Sequence, residues 1–389
     1  MSGVKIKIAI CIVLLPSLVF TQGKDEQNKE VAPTMNLYTC TKASGCSREP
    51  KKITMDQNWR WIHNKGGYQN CYEGNKWDST HCSSDPVKCA KECVIDGADY
   101  RATYGVTANN NNDDLTLKFK VNNNVGSRIY MLDDNGDYFN FKLNNKEFTF
   151  DVELNTMECG MNAALYFVEM DMDGGESKYT NNTAGSSRGT GYCDAQCPHD
   201  VKFVNGEGNI VNWEGTTANT GVGKYGVCCA EMDIFEANRY AAAYTAHPCT
   251  IKGPERCFGK DCGDDENNQR YDGVCDKDGC DINTYRLGAT KFFGPGSEYD
   301  VDTTKKFTVV TQFITTDGTD SGDLKEIRRQ YVQNGKVIES PSVKVGNKSY
   351  DSITDEFCDA QKEIFSNPNA FKTTGALKVM GGAHERGMV

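Results

Sequence analysis

The chain has 389 residues and a formal charge of −11, because 54 aspartates and glutamates outnumber 43 lysines and arginines. An acidic protein offers no positive surface to nucleic acid or to an anionic membrane, so we expect neither as a partner. A neutral ligand fits this charge better, and the length suits one large domain or two ordinary ones.

The first 21 residues predict a secretory signal peptide. Lys5 and Lys7 precede an apolar run over residues 8–20, and small and polar residues follow near Thr21. This run is shorter than the about 20 apolar residues of a membrane-spanning helix, and no later stretch approaches that length. We therefore expect a secreted, extracellular protein whose mature part, residues 22–389, is a monomer.

The 18 cysteines predict a disulfide framework, since an exported protein reaches an oxidising compartment. With Cys11 of the signal peptide set aside, the count is odd, which requires an unpaired cysteine, an intermolecular bond or a missing partner. Zinc is the alternative for the close pairs Cys89/Cys93 and Cys193/Cys197, although the chain has only five histidines. Two patterns for N-glycosylation are also present, Asn181-Asn182-Thr183 and Asn347-Lys348-Ser349.

Alternating apolar and polar residues predict four half-buried strands, at residues 115–121, 138–143, 148–154 and 307–313. Asn334-Gly335 lies between two further alternating runs, which is the strongest short signal for a β-hairpin. Helical patterns are confined to residues 355–365 and 376–386. We predict an all-β fold, a large antiparallel sandwich in a single domain, with long loops rich in Gly, Asn and Asp.

Three carboxylates, Glu231, Asp233 and Glu236, lie within six residues of one predicted strand. Glu231 and Asp233 share a face, but Glu236 has the wrong parity, so the three converge only if a bulge lies between Asp233 and Glu236. Converging acids raise at least one pKa, which leaves one group protonated and another ionised. Glycoside hydrolysis needs one protonated and one ionised carboxyl group. The alternatives for this cluster are a calcium site or ordinary polar residues on the solvent-exposed face of a strand.

Trp59 and Trp61 flank Arg60 and are predicted to share one face of a strand. Sugar rings present flat C–H faces that stack on indoles, while the commoner fate of tryptophan is burial in a core. Because Arg60 makes burial of the whole segment unfavourable, we expect the two indoles to contact a sugar.

These residues resemble the fungal and protist cellulases of glycoside hydrolase family 7. The resemblance rests on EMDIFEAN at 231 after two cysteines, and it extends over nearly the whole mature chain through NWRW at 58, NKW at 75, TYGVT at 103, ALYFVEMDMDGG at 164, NTAGSSRGTGYCDAQCP at 182 and GMV at 387. It implies a concanavalin-like jelly-roll sandwich of two large antiparallel sheets. Long disulfide-stapled loops would roof the concave sheet into a cleft or tunnel for a β-1,4-glucan chain.

The resemblance also implies the roles of the three acids. Glu231 would be the nucleophile of a retaining hydrolase, Glu236 the general acid and base, and Asp233 the group that orients Glu231. Retention needs the two glutamate carboxyl groups about 5 Å apart. No metal or other cofactor is implied.

Further matching positions predict the residues that bind the glucan. Stacking platforms would be Trp59 and Trp61. The polar lining of the subsites before the cleaved bond would be Asn162, Tyr166, Asp194, Gln196, Asp200 and Lys202. His247 would lie beside the acid and base, unless it is only a structural loop histidine. The leaving-group side would contain Arg270, Asp278, Asp281 and Arg286.

The stapled loop over residues 257–286 resembles cellobiohydrolases, which release cellobiose from the reducing end, and endoglucanases of the family largely lack it. Two features weaken that assignment: residues 315–323 form a longer, more endoglucanase-like segment, and Ile282 replaces an expected tryptophan. An endo-β-1,4-glucanase is therefore the alternative. From other classes, the alternatives are a non-catalytic lectin-like glucan-binding protein and a calcium-stabilised protein with a site at residues 276–281.

The resemblance implies eight disulfides, which pair Cys40 with Cys46, Cys71 with Cys93, Cys82 with Cys89, Cys193 with Cys229, Cys197 with Cys228, Cys249 with Cys275, Cys257 with Cys262, and Cys280 with Cys358. Cys159 remains without a partner, and the family's partner position lies beyond Val389. Met388-Val389 also reads as the first step of an apolar strand. We therefore expect the chain to be truncated at its C-terminus.

Overall fold

The computed structural model describes residues 22–264 and 266–389; the predicted signal peptide lies outside them. Two antiparallel sheets form the centre of the fold. The inner sheet consists, in spatial order, of Ala163–Val168, Glu231–Ala237, Ala242–His247 and Cys280–Asn283. The outer sheet consists of Lys146–Val152, Phe307–Thr315, Leu324–Gln333 and Lys336–Glu339, with Ser352–Ile353 also paired to the third of these strands.

The largest hydrophobic core lies between the two sheets. It joins Met232, Tyr244 and Ile282 of the inner sheet to Phe307 and Ile327 of the outer sheet. Each such buried side chain contributes about 1.5–3 kcal/mol relative to exposure. Packing therefore fixes one face of the inner sheet and leaves its opposite face for other contacts, which agrees with the predicted all-β sandwich.

Three further strands form a separate sheet, Thr34–Thr41, Gly45–Met55 and Ile129–Met131. The remaining strands form two-stranded ribbons: Ile62–Asn64 with Cys93–Ile95, Tyr72–Glu73 with Lys76–Trp77, Val106–Ala108 with Leu115–Leu117, Lys120–Val121 with Asn124–Val125, Phe203–Val204 with Glu207–Gly208, Glu214–Gly215 with Gly221–Val222, Gly226–Cys228 with Glu255–Cys257, Phe293–Gly294 with Val301–Asp302, and Val343–Val345 with Lys348–Tyr350. These ribbons lie in the segments that the sequence predicts as long loops.

The α-helices are α1 Pro86–Glu92, α2 Asp355–Phe365, α3 Ala370–Thr373 and α4 Ala376–Arg386. Both predicted helices are confirmed with the same bounds as α2 and α4. Thr354 caps α2, because its side chain accepts a hydrogen bond from the backbone N–H of Phe357. The sequence reading missed α1 and α3, which have 7 and 4 residues and too few turns for a periodic pattern. Short 3-10 helices occur at Gln57–Trp59, Ser186–Arg188, Gly259–Cys262 and Glu266–Tyr271.

All eight implied disulfides are present, which contradicts the zinc alternative for the close cysteine pairs. Cys159 is exposed and is the cysteine outside these bonds in the described part of the chain. Two of the bonds, Cys193–Cys229 and Cys197–Cys228, connect both ends of the segment Cys193–Cys197 to the two residues that shortly precede the acid-bearing strand Glu231–Ala237.

The predicted hairpin is confirmed, since Gln333 pairs with Lys336 and both turn residues have positive φ, 54° at Asn334 and 73° at Gly335. Other strand predictions hold only in part. Residues 115–121 split into two short strands, and residues 138–143 contribute only the isolated bridges of Tyr138 and Phe141.

The predicted strand face shared by the two tryptophans is wrong. Trp59 ends a 3-10 helix that Asp56 caps, and Trp61 lies between that helix and the next strand. The segment is not buried as a whole, as expected, since both indoles are half-buried; Arg60 itself, however, is buried in an ion pair with Glu30, 2.9 Å long. The charge of Arg60 is satisfied internally, so it did not need solvent.

The last two residues pair as strands do, Met388 with Phe141 and Val389 with Val168. Among residues 22–264 and 266–389, no helix is long and apolar enough to cross a membrane.

Candidate active site

The three acids lie on the face of the inner sheet that points away from the core. On the neighbouring strand Glu231 lies opposite His247, Asp233 opposite Thr245, and Glu236 opposite Ala243. The partners are evenly spaced at every second residue, whereas Asp233 and Glu236 are three apart. One extra residue is therefore inserted on the acid-bearing strand, and the predicted bulge is confirmed.

The inserted residue is Ile234. On the other flank of the strand Tyr166 pairs with Asp233 and Leu165 with Phe235, so Ile234 has no partner there. Its side chain and that of Phe235 both enter the core between the sheets. Two successive residues point inward, which restores Glu236 to the face that bears the other acids.

Arg329 of the outer sheet stabilises the bulge from within the core. Its guanidinium donates a hydrogen bond to the carbonyl oxygen of Ile234 and lies 4.4 Å from the ring centroid of Tyr244. Tyr244 is the single residue opposite the two bulged ones. A buried carbonyl without a ladder partner is costly, so this contact keeps the irregular backbone in place.

Glu231 is held by the doubly stapled segment Cys193–Cys197. The backbone N–H of Ala195 donates to Glu231 Oε2 at 3.0 Å, and the two disulfides fix that segment relative to the strand. Burial, together with the charges of Asp194 and Asp233, raises the pKa of Glu231 well above its ordinary value. The hydrogen bond from Ala195 acts in the opposite direction and favours the ionised form.

Asp233 accepts a hydrogen bond from His247, whose Nε2 lies 3.0 Å from Asp233 Oδ2. His247 Nδ1 donates to the backbone carbonyl of Asp276 at 2.8 Å. Burial would lower the pKa of His247, but the hydrogen bond to Asp233 and the charges of Asp233 and Glu231 raise it to about 10. The raised pKa favours the imidazolium form of His247, whose charge acts on both Asp233 and Glu236, while its hydrogen bond is to Asp233.

Glu236 is the most accessible of the three acids, half-buried where Glu231 and Asp233 are buried. Its Oε1 accepts a hydrogen bond from the side-chain amide of Asn162 at 2.8 Å. Burial, then the charge of Asp233 and, more weakly, that of Asp281, raise its pKa. A partly exposed carboxyl with a raised pKa suits proton transfer to a ligand in the cleft.

A hydrogen-bonded chain of tyrosines lies beside Glu231. Tyr166 and Tyr192 join their hydroxyls at 3.0 Å, Tyr192 donates to Asp194 at 2.5 Å, and Arg128 donates to Tyr166 at 3.3 Å. The guanidinium of Arg128 also lies 3.2 Å from the ring centroid of Tyr192. Tyr166 and Asp194 were predicted from the sequence, whereas Arg128 and Tyr192 were not.

The remaining predicted residues on this side lie farther from the acids. Lys202 is half-buried and its ammonium lies 4.4 Å from the ring centroid of Tyr72; burial lowers its pKa to about 8. Asp200 is exposed, with its backbone carbonyl bound by Asn58. Gln196 donates to the carbonyl of Lys277 at 2.7 Å and so connects the segment that holds Glu231 to residues 276–281.

The two tryptophans were predicted on the same side of the acids as these residues. The ring of Trp59 lies 5.2 Å from the guanidinium of Arg128, and Trp61 stacks on His63 with ring centroids 4.0 Å apart. Trp61 Nε1 donates to Asn70 at 2.7 Å. Both indoles are oriented by polar contacts and retain exposed surface.

The four residues predicted on the other side form two ion pairs. Arg270 binds Asp278 at 2.7 Å and Arg286 binds Asp281 at 2.5 Å. Both pairs line a cavity of about 320 Å³. Asp278 and Asp281 are thus partnered by arginines, whereas Asp276 is buried without an arginine partner.

A metal ion could also be considered at the centre, since ligand atoms of Glu231, Asp233 and His247 lie within 4.8 Å of one another. Both ring nitrogens of His247 are already engaged in hydrogen bonds, one with Asp233 and the other with the backbone carbonyl of Asp276. In this arrangement His247 therefore presents no free ring nitrogen to a metal ion.

The chain matches the family model of glycosyl hydrolase family 7 over residues 24–389. It belongs to that family. A family 7 cellobiohydrolase from Daphnia pulex is 48% identical, with a TM-score of 0.91, over 94% of this chain and 84% of that one. A cellobiohydrolase from Melanocarpus albomyces complexed with cellotetraose is 39% identical, with a TM-score of 0.85, over 94% and 83% of the two chains.

Endoglucanases of family 7 are also similar. An endoglucanase I complexed with cellobiose is 39% identical to this chain, with a TM-score of 0.80, over 94% of this chain and 85% of that one. The predicted family and the jelly-roll fold are confirmed. Both kinds of cellulase occur among the neighbours of this family 7 chain.

Proposed function

We propose that the protein is a cellulase that hydrolyses β-1,4-glucosidic bonds with retention of configuration. The observation that carries this proposal is the bulge at Ile234, which brings Glu231 and Glu236 to one face of the inner sheet. Solved family members in complex with cellobiose and with cellotetraose support a glucan chain as the ligand.

In this proposal Glu231 attacks the anomeric carbon while Glu236 gives its proton to the departing glucosyl oxygen. A glycosyl-enzyme ester forms and the glycosidic bond breaks. Glu236, now ionised, then takes a proton from water, the water oxygen attacks the anomeric carbon, and Glu231 leaves as a carboxylate. The backbone N–H of Ala195 orients Glu231, and Asp233 with His247 adjusts its charge.

Matched substitutions test the two roles separately. Glu231→Gln and Glu236→Gln should each lose nearly all turnover of cello-oligosaccharides while still binding them. An aryl cellobioside whose leaving group needs no protonation should give a burst of phenol with Glu236→Gln and none with Glu231→Gln, because only the first variant keeps the nucleophile. Normal turnover in either variant would refute the assignment.

More finely, we propose a cellobiohydrolase that releases cellobiose from the reducing end. Support comes from the loop over residues 257–286, which the Cys257–Cys262 bond closes on itself and the Cys249–Cys275 bond staples, and from the higher TM-scores of the two cellobiohydrolases. Cellulose labelled at its reducing ends should release labelled cellobiose first. Rapid loss of chain length with little soluble label would instead identify an endoglucanase.

The proposal includes the site of action. The predicted signal peptide and the disulfide framework support an exported enzyme that works outside the cell as a monomer. Expression with the first 21 residues removed should leave the protein inside the producing cell, and size-exclusion chromatography of the exported protein tests the monomer.

A further inference from the structure

The two N-glycosylation patterns of the sequence lie in different surroundings in the folded chain. One begins at Asn181 and the other at Asn347. An N-linked oligosaccharide is bulky and hydrophilic, so the asparagine that carries it must reach solvent in the finished fold. The surroundings of each asparagine therefore decide which of the two patterns the fold accepts as a modification site.

Asn347 lies at the tip of a β-hairpin. The strands Val343–Val345 and Lys348–Tyr350 pair with each other, so Gly346 and Asn347 form a turn of two residues between them. Gly346 has a φ of 61°, and the first position of such a turn favours glycine for that reason. Asn347 is exposed, and among the described residues a Cβ on Gly346 would meet nothing within 4 Å. The tip of the hairpin therefore has free space around it.

The strands below this tip are anchored to the rest of the fold. The first strand buries its two valines in the core between the two sheets. Lys348, which follows Asn347, forms an ion pair with Glu356 in the first turn of α2. Ser349, the third residue of the pattern, is exposed. A group attached to Asn347 would thus extend into solvent from an anchored hairpin without displacing a packed side chain.

Asn181 is enclosed by other parts of the chain. Its side chain is half-buried, and a Cβ on Gly206 would lie 3.2 Å from the Cβ of Asn181. The backbone carbonyl of Asn181 accepts a hydrogen bond from the backbone N–H of Gln22 at 2.5 Å. Thr183, the third residue of this pattern, donates its hydroxyl to the carbonyl of Gln22 at 2.9 Å. Gln22 and Gly206 therefore occupy the space that an oligosaccharide on Asn181 would need.

Asn182, the middle residue of that pattern, holds this arrangement in place. It is 3% exposed, and its side-chain amide donates to the carbonyl of Gly174 at 2.9 Å. Its side-chain oxygen accepts hydrogen bonds from the backbone N–H groups of Ala184 and Gly185, both at 3.2 Å. Because Asn182 is bound at both ends of its side chain, the neighbouring Asn181 has little freedom to turn towards solvent.

We propose that Asn347 carries an N-linked oligosaccharide and that Asn181 carries none. The donor is a lipid pyrophosphate-linked oligosaccharide of the secretory pathway. The side-chain nitrogen of Asn347 bonds to C1 of the first sugar, the bond from C1 to the pyrophosphate oxygen breaks, and the lipid pyrophosphate leaves while the amide loses one proton. This inference rests on the export that belongs to the proposed function, and it is independent of the proposed hydrolysis.

Intact-mass spectrometry of the protein exported from a eukaryotic host tests the inference. The wild-type protein should exceed its peptide mass by one oligosaccharide, and a peptide N-glycosidase should remove the excess and convert Asn347 to aspartate, which peptide mapping locates. Asn347→Gln and Ser349→Ala should each lose the whole excess. Ser349→Thr should retain it, because threonine also completes the pattern, and Asn181→Gln should not change it.

Three results would overturn the inference. An exported wild-type protein at its peptide mass would show that Asn347 is not modified. An excess that survives Asn347→Gln and disappears in Asn181→Gln would assign the oligosaccharide to the other pattern. Two oligosaccharides on the wild-type protein would show that the packing around Asn181 does not exclude modification.

A second version of the protein separates this test from the test of export. An unrelated signal peptide in place of residues 1–21 directs the same mature chain into the secretory pathway. If only this version is exported, the predicted signal peptide is wrong, and the mass measurement on the second version still tests Asn347. Failure of the exported protein to hydrolyse cellulose would count against the proposed function and leave the result on Asn347 standing.

Discussion

Replacing Arg329 with methionine should distort the active site from the opposite side of the inner sheet. The substitution removes the hydrogen bond to the carbonyl of Ile234 and the contact with the Tyr244 ring. A hydrogen bond from a charged group contributes about 1.5–3 kcal/mol, and a buried cation–π contact about 2 kcal/mol. Removal of the buried charge recovers part of this, so we expect the free energy of unfolding to fall by about 2–4 kcal/mol.

The same substitution should lower kcat on a soluble oligosaccharide, because the bulge that aligns Glu236 loses the group that holds its carbonyl. We expect a decrease of about 10- to 100-fold under conditions where the variant remains folded. Arg328→Met is the matched control: the adjacent side chain is 40% exposed and pairs with Glu326, so both stability and kcat should stay near the wild type. Wild-type kcat in folded Arg329→Met would show that the alignment of Glu236 does not depend on this hydrogen bond.

Two predictions concern protonation. Asp194→Asn removes a negative charge beside Glu231 and should therefore lower the raised pKa of Glu231. Because Glu231 must be ionised to attack, the acid limb of the pH profile of kcat/KM should move down by about 1 pH unit. An acid limb that stays in place or moves up would show that Asp194 does not raise the pKa of Glu231. His247→Gln should cost the most stability below about pH 6.5 and progressively less as the pH rises through about 10, because a raised pKa stabilises the fold while the group is protonated. The upper bound is about 5 kcal/mol at 1.36 kcal/mol per pKa unit. Denaturant unfolding of both proteins from pH 6 to 10 measures the difference, and a constant difference would mean that His247 acts through packing alone.

Spacing and parity in the sequence predicted the most demanding local feature of the fold. The odd interval between Asp233 and Glu236 requires a bulge if the acids converge, and the inserted Ile234 provides it. The hairpin at Asn334-Gly335 followed equally from local chemistry, since both residues tolerate positive φ. Short-range rules of this kind need no knowledge of distant partners.

Features that depend on partners distant in sequence were not predictable in the same way. Arg60 was expected to oppose full burial of its segment, but its own burial was not predicted, because Glu30, thirty residues away, pairs with it in the interior. His247 was expected beside Glu236 and its charge does act on that group, but its hydrogen bonds, which are to Asp233 and to the carbonyl of Asp276, were not predicted. The disulfide pairing was obtained only through the resemblance, because composition does not specify connectivity.

Arg329 shows that one long-range feature did leave a signal in the sequence. In the strand Leu324–Gln333 the inward positions alternate regularly, and Ile327, Arg329 and Tyr331 all face the core. A charged residue at an inward position is costly unless the facing element offers an unsatisfied polar group. In a regular strand the carbonyl groups accept the hydrogen bonds of the ladder, whereas a bulge leaves one carbonyl group without a ladder partner. An inward arginine that faces a strand with an odd interval between its acids therefore predicts a bulge, and it also identifies the side chain that binds the freed carbonyl. The residues that set the catalytic geometry thus lie on both sheets.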